Sequence, residues 1–280
     1  MEKLIDLHVH SSVSDGTFSP EELVAYALEK KLAAFALTDH DTTDGIKAAQ
    51  KAAEGTELEV VPGIELSTTW HNRDVHIVGL DINWKNPDFQ KTLQGFRDSR
   101  ELRNDKVLAL LQKENISITR KDMEESFPDS VWTRAHFARF LLDHHYVGSV
   151  KEAFDRYLGD HAKCYVPREK VTPIQAIQLI HQGGGKAVFA HPLLCRFSKE
   201  RLESFLDVLK KEGLDGVETM YLYSSYTPSD QLRMTKLASH FGLKNSGGSD
   251  FHGSNKPHID LGSGTGKLQI PYSVLKELRT

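Results

Sequence analysis

Seven short apolar runs recur along this chain, at Lys3–His10, Ala33–His40, Leu58–Ser67, Val75–Asn83, Lys186–His191, Asp215–Met220 and Asn245–Asp250. Between the early ones the spacing turns helical, which commits the chain to an α/β architecture on a parallel sheet or barrel. Ser19-Pro20-Glu21-Glu22 opens the first helix, with a serine cap and proline at the first helical position, and Thr43–Ala53 reads as the second. Beyond Pro87 the rhythm stops. One long helical stretch runs to Lys113, and further helical runs without β alternation continue to about Arg168. Residues 87–168 therefore read as an inserted helical subdomain covering the rim of a barrel formed by residues 1–86 and 169–280. The rhythm resumes with helices from Pro173, over Ser198–Lys211 and over Pro228–Phe241.

Composition narrows the functional classes. The two cysteines, Cys164 and Cys195, are far apart and form no CxxC pair, which argues against a disulfide framework or a thiolate zinc site. No apolar run approaches the ~20 residues of a spanning helix, and MEKLIDLHVH lacks a basic segment followed by an apolar stretch. The reading is a cytoplasmic protein with no membrane partner. A formal charge of −4 is not the footprint of a duplex-DNA binder. The unusual count is 14 histidines in 280 residues, and what matters is whether they are arranged.

Six of them stand with three carboxylates where strands are expected to finish. His8 and His10 lie two apart and share a face; Asp15 follows in HVHSSVSDG; His40 ends ALTDH; Glu65 lies in VVPGIELS; His76 in DVHIVGLD; His191 ends KAVFAH; Asp250 and His252 close SGGSDFH. Any one such histidine is most simply a hydrogen-bonded core or surface residue. In a barrel, however, all strand C-termini meet at one rim, so nine residues distant in sequence would converge. Imidazole and carboxylate without thiolate suit Zn²⁺, Mn²⁺ or Fe²⁺, and a shared carboxylate between closely spaced ions is the usual construction for cleaving phosphate esters.

The runs DLHVHSSVSDG, LTDHD, PGIELS, VHIVGL, AHP and GGSDFH, in that order over residues 4–252, resemble the polymerase and histidinol phosphatase (PHP) superfamily. The chain is most similar to its stand-alone phosphoesterases with a helical insertion, which include 3′,5′-nucleoside bisphosphate phosphatases that also act as 5′–3′ exoribonucleases. The resemblance implies a distorted seven-stranded (β/α) barrel and three divalent ions, Mn²⁺ before Zn²⁺ or Fe²⁺. It places one ion on His8, His10, Glu65 and Asp250, a second on Glu65, His76 and His191, and a third on Asp15, His40 and His252. Asp15 and His252 are then the candidates for protonating the leaving oxygen. Asp6 and Asp39 are candidates for fixing imidazole tautomers.

Substrate contacts are a separate question. Arg97, Arg100 and Arg103 recur every three residues on one helical face, a pattern shared by solvated stripes; the resemblance raises Arg100 and Arg103 as phosphate contacts. It also raises Arg134, near an expected helix start, with His40 beside them. Gly183-Gly184-Gly185-Lys186 precedes a strand instead of following one, so it reads as a helix stop and not a phosphate loop. The run from Gly262 to Gly266 reads as a loop, and His136, His144, His145 and His258 are left without metal roles. The resulting expectation is a metal-dependent hydrolase of a nucleotide phosphomonoester, with a small phosphorylated nucleotide or short single-stranded RNA as partner. A histidinol-phosphate phosphatase and a non-catalytic metal-binding PHP module are the alternatives, and oligomeric state is not legible.

Overall fold

The computed structural model describes residues 3–71, 73–167, 171–221 and 227–280. Strands β1 (Leu4–Val9), β2 (Ala34–Leu37) and β3 (Glu59–Trp70) pair in parallel through helices α1 (Pro20–Glu29) and α2 (Ile46–Ala52). Ser19 caps α1 through its hydroxyl while Glu22 returns the bond, as the sequence signature requires. The next strand, β4 (Arg73–Leu80), runs antiparallel to both β3 and the following β5 (Lys186–Phe189). Parallel order returns through β6 (Gly216–Met220) and β7 (Lys244–Gly247). Beyond β7, Asp250 donates its backbone N–H to the His8 carbonyl (2.9 Å) and His10 to that of Phe251 (3.0 Å). Those bonds nearly close the sheet into a barrel at one rim.

Two expectations need correction. Among the described residues the sheet has eight strands, ordered β7-β6-β5-β4-β3-β2-β1-β8, because Ile270–Pro271 (β8) pairs antiparallel with the start of β1. A two-residue strand carries no alternation to read. The fourth strand is also reversed, so the sheet is not uniformly parallel. Only two residues separate Trp70 from Arg73, far fewer than a parallel crossover needs.

Two layers of core sandwich the barrel wall. Ile5, Ala36, Val61, Val78 and Val188 fill one side. Phe35, Ile64, Ile77, Phe189 and Val217 face the other, against α1, α2, α7 (Pro173–Gln182), α8 (Lys199–Lys211) and α9 (Pro228–His240). Alternation along β1 breaks at a register shift between Asp6 and Val9. Ile5 and Leu7 join the first core and Val9 the second, which turns His8 and His10 toward the rim.

The 27-residue helix α3 (Pro87–Lys113) joins two cores. Phe89, Leu93 and Phe96 pack into the barrel's outer layer, while Val107, Leu108 and Leu111 join a separate cluster with α4 (Arg120–Ser126), α5 (Arg134–Asp143), α6 (Val150–Ala153) and the π-helical turn Phe154–Leu158. The boundary drawn at 168/169 lies outside the described residues. After α7 the glycines at 183–185 end the helix before β5, Gly184 at φ 72°, and α10 (Ser273–Leu278) packs beneath the barrel. Among the described residues no helix is long and apolar enough to cross a membrane.

Candidate metal centre

Each donor reaches the rim for a local reason. Asp15 sits on a tight loop drawn in by Asp39, which accepts from the Ser11 N–H (2.8 Å) and from the hydroxyls of Ser11 and Ser14 (both 2.6 Å). A Cβ on Gly16 would lie 2.3 Å from the His10 carbonyl oxygen, so only glycine closes that loop. His40 follows β2 and bridges in parallel to Glu65, which lies in the middle of β3 and not at its end. His76 arrives because β4 is reversed: its register sets His76 opposite Ser67, two residues from Glu65. His191 and Asp250 follow β5 and β7 at φ of 29° and 57°. Such conformations cost a non-glycine residue roughly 1–3 kcal/mol and persist where the surroundings over-determine them.

All nine residues named from the sequence converge. Glu65 is the hub. Its Oε2 lies 3.3 Å from His8 Nε2, 3.2 Å from His10 Nε2 and 3.2 Å from His40 Nδ1. Its Oε1 lies 2.8 Å from His76 Nδ1 and 3.0 Å from His191 Nε2. Asp250 Oδ1 faces His8, His10 and His252 at 3.7, 3.5 and 3.4 Å. Asp15 reaches His252 Nε2 at 3.2 Å and His40 Nε2 at 3.7 Å. Eight of the nine are buried; His76 is partly open.

So dense a set of buried donors calls for a positive centre. Burial alone would raise the carboxyls, yet nearby positive charge outweighs it, from His40 and His252 at Asp15, from His40, His76 and His8 at Glu65, and from Lys256 ahead of His252 and His8 at Asp250, and holds all three well below the usual carboxylate range. Burial pushes His40 down to about 4, and lowers His10 well below normal with His252 and His40 acting in the same direction. His8 goes the other way: burial opposes its charge, but Glu218, Glu65 and Asp250 prevail. The Nε2 atoms of His8 and His10 face each other at 3.1 Å, and His10 Nδ1, His191 Nδ1 and Asp15 Oδ1 are buried without a hydrogen-bond partner. Four overlapping groups gather their donor atoms within 4.8 Å: His10, Asp15, His40 and His252; His8, Glu65 and His191; His8, His10 and Asp250; His40, Glu65 and His76. Nitrogen and oxygen donors so placed fit divalent cations.

The residues expected to fix imidazole tautomers do something else. Asp6 accepts from the backbone N–H groups of His8 (3.3 Å), Ser249 (2.9 Å) and Gly262 (2.8 Å), stitching β1 to the Asp250 segment. Asp39 holds the Asp15 loop. Neither touches a ring nitrogen among these bonds. The partner of His8 Nδ1 is Glu218 Oε1 at 2.7 Å, and Glu218 Oε2 accepts from the His191 N–H at 2.6 Å. A glutamate inside the apolar run GVETM was the signal for it. Asp250 Oδ2 accepts from Tyr221 Oη (2.8 Å) and Lys256 Nζ (2.7 Å), and Asp15 Oδ2 from Thr133 Oγ1 (2.8 Å) at the cap of α5.

Above the donors lies a cavity of about 570 Å³ whose wall includes Asp15, His40, Arg100, Arg103, Arg134 and His252. All four residues named for substrate contact line it, and so do Lys256 and His258, which sequence reasoning passed over. The arginines are engaged. Arg100 is buried against Asp41, with further bonds to Ser67 Oγ (2.8 Å) and the Trp132 carbonyl (3.3 Å). Arg103 Nε donates to the Val166 carbonyl (3.1 Å). Arg134 pairs with Asp74 and, at 3.3 Å, with Asp160. It also borders a second cavity of about 610 Å³ that reaches His76 and His191.

Residues 6–164 match the PHP domain family. The chain is 35% identical over 273 residues to the 5′-3′ exoribonuclease Rnm of Escherichia coli K12, covering 97% of this chain and 91% of that protein. It is 32% identical over 259 residues to a 3′,5′-nucleoside bisphosphate phosphatase of Chromobacterium violaceum, covering 92% and 90%. Among solved structures, a chain from Bifidobacterium adolescentis described as a candidate metal-dependent phosphoesterase superposes with a TM-score of 0.85 at 27% identity, over 99% of this chain and 95% of that one. With the nine donors gathered at one rim of a near-closed barrel, these likenesses establish that the chain belongs to the PHP domain family and that its chemistry is that of a metal-dependent phosphoesterase.

Proposed function

We propose that this protein hydrolyses the 3′-phosphate of nucleoside 3′,5′-bisphosphates and trims short 5′-phosphorylated RNA from its 5′ end, at a centre of three divalent ions with Mn²⁺ preferred. The observation that carries the reading is the convergence of nine nitrogen and oxygen donors on Glu65 beneath an arginine-lined cavity of nucleotide size. Relatives named for those two substrates align with nearly the whole chain. His8, His10, Glu65 and Asp250 would hold one ion, Glu65, His76 and His191 a second, and Asp15, His40 and His252 a third. When bound, such ions supply Lewis-acid neutralisation of phosphoryl charge and acidify water, so no protein nucleophile is required.

The remaining work falls to the chain. Arg103 and Arg134 line the cavity where a second phosphate would sit, and bidentate guanidinium contacts suit it. Arg100 and His40 flank the reacting side, Arg100 held in place by Asp41. Asp15, kept ionised, lies 3.2 Å from His252 Nε2, and both line the cavity where they would face the leaving oxygen. An ion on Asp15, His40 and His252 would set positive charge at the same place and serve the leaving group.

Arg100, Arg134 and Phe154 line the cavity, which supports reading residues 87–168 as a helical subdomain covering the rim. The test compares Mn²⁺-loaded protein on adenosine 3′,5′-bisphosphate, AMP, histidinol phosphate and a short 5′-phosphorylated RNA. Release of 3′-phosphate from the bisphosphate and of mononucleotides from the RNA is expected. Preference for histidinol phosphate would replace this reading with the alternative phosphatase, and inertness toward all four would leave a metal-binding module.

A further inference from the structure

Lys256 belongs to none of the nine donors, yet it lines the cavity above them and lies 2.7 Å from Asp250 Oδ2. The other oxygen of the same carboxylate faces His8, His10 and His252 at 3.4–3.7 Å. The ammonium thus stands one carboxylate's width from the donor cluster. Its position is built by the chain around it. Gly253, at φ 62°, turns the backbone where a Cβ would meet Thr17 Oγ1 at 2.1 Å. The Ser254 N–H donates to that same Oγ1 (2.9 Å), and Asn255 Nδ2 donates to the Asp15 carbonyl (2.9 Å). Lys256 is therefore fastened to the loop that carries Asp15.

We infer that Lys256 contacts the phosphoryl group undergoing hydrolysis, its ammonium passing from Asp250 Oδ2 to a phosphoryl oxygen when substrate enters. The inference rests on the phosphomonoester reading above. Three features carry it. Arg100 and Arg134, elsewhere on the cavity wall, are paired with Asp41 and with Asp74 and Asp160, carboxylates outside the donor cluster. The partner of Lys256 is itself a candidate donor, so a cation held with its help would draw charge from the carboxylate and loosen its hold on the ammonium. Tyr221 Oη also donates to Asp250 Oδ2, at 2.8 Å, and keeps the carboxylate oriented once Lys256 departs. A compact ammonium on a flexible four-carbon stem suits such a transfer, where a planar guanidinium does not.

The experiment uses the Mn²⁺-loaded full chain as wild type, K256M, K256R and Y221F. Bound Mn²⁺, calorimetric affinity for inorganic phosphate, and kcat and KM for adenosine 3′,5′-bisphosphate are measured on each. K256M should keep wild-type Mn²⁺ while losing about 10–100-fold in phosphate affinity and in kcat/KM, the scale of one lost charge-assisted contact. K256R should recover part of the loss. Y221F should loosen Mn²⁺ and be rescued by excess metal. Phosphate affinity within twofold of wild type in K256M would overturn the inference, as would a K256M defect that excess Mn²⁺ cures in the manner of Y221F. K256Q serves if K256M does not fold. A wild-type protein inert on the bisphosphate, combined with lost phosphate binding in K256M, would sink the substrate reading and leave Lys256 in its role.

Discussion

At the scale of single residues, the decisive one is Glu218, a carboxylate that sequence inspection did not single out. It fixes His8 through Nδ1 and His191 through its backbone, so its charge and its geometry both act on the cluster. E218Q is expected to weaken Mn²⁺ binding about 10–100-fold, the usual consequence of losing a ligand's hydrogen-bond partner, and to lower the unfolding midpoint of the metal-free protein, since it removes the leading charge paired with buried His8. Metal titration of both forms checks this. The donors themselves were legible because their chemistry is unusual for strand ends, and nine residues of two chelating types in six short runs are hard to produce by packing alone. Their partners were not, since a buried glutamate or a capping threonine has the same letter wherever it occurs. Asp6 and Asp39 show the limit: proximity in sequence to His8 and His40 suggested contact with the rings, and both carboxylates instead gather backbone N–H groups and serine hydroxyls.

Elements translate these residues into positions. Helix α5 matters most, because its cap reaches the centre: Thr133 Oγ1 accepts from the Ala135 N–H (3.1 Å) and donates to Asp15 Oδ2. T133V should cost about 1 kcal/mol of stability by urea unfolding and reduce turnover, whereas T133S should do neither. His136 completes that capping box, accepting the Thr133 N–H on Nδ1 at 3.0 Å. Burial pushes it down to about 4, so between that value and the ordinary pKa of about 6.5 the unfolded chain binds the extra proton. Its contribution to stability is complete above about pH 6.5 and is lost as pH falls toward 4. H136Q keeps a capping-box side chain without the titration, and the fall in unfolding free energy from pH 7 to 5, measured in chelator, should become shallower. It should not vanish, because His40 is lowered in the same way. The direction of β4 was the misread element. Strand polarity leaves no trace in a strand's own composition, but the connection does carry it. The expected strands ending at Ser67 and starting at Val75 leave too few residues for a crossover helix.

For the whole molecule, stability and cation binding are one equilibrium. Nine donors are assembled only in the folded chain, so cations that bind there and not to the unfolded state stabilise by mass action, about 2.7 kcal/mol for a site at 100 times its Kd. The unfolding temperature should rise steadily with Mn²⁺ and fall back on chelation; a flat response would count against the centre. Helix α3 restricts how the insertion can move over it. At 27 residues the helix is a rod of about 40 Å, seated in the barrel's outer core at one end and in the insertion's own core at the other. Any opening must pivot the rod or unfold part of it, a constraint that composition could not reveal because both halves of α3 read as one amphipathic stretch.

The bonds that close the barrel also impose an order in time. β1 is made first, yet its neighbours on one side are Phe251 and, through β8, Ile270. On a ribosome the strand bearing His8 and His10 must wait for more than two hundred residues before its last partners exist. Contacts so distant in sequence fold slowly. A nascent chain that stops short of Asp250 consequently has an incomplete donor set, so the phosphoesterase centre cannot assemble until that late segment has been made.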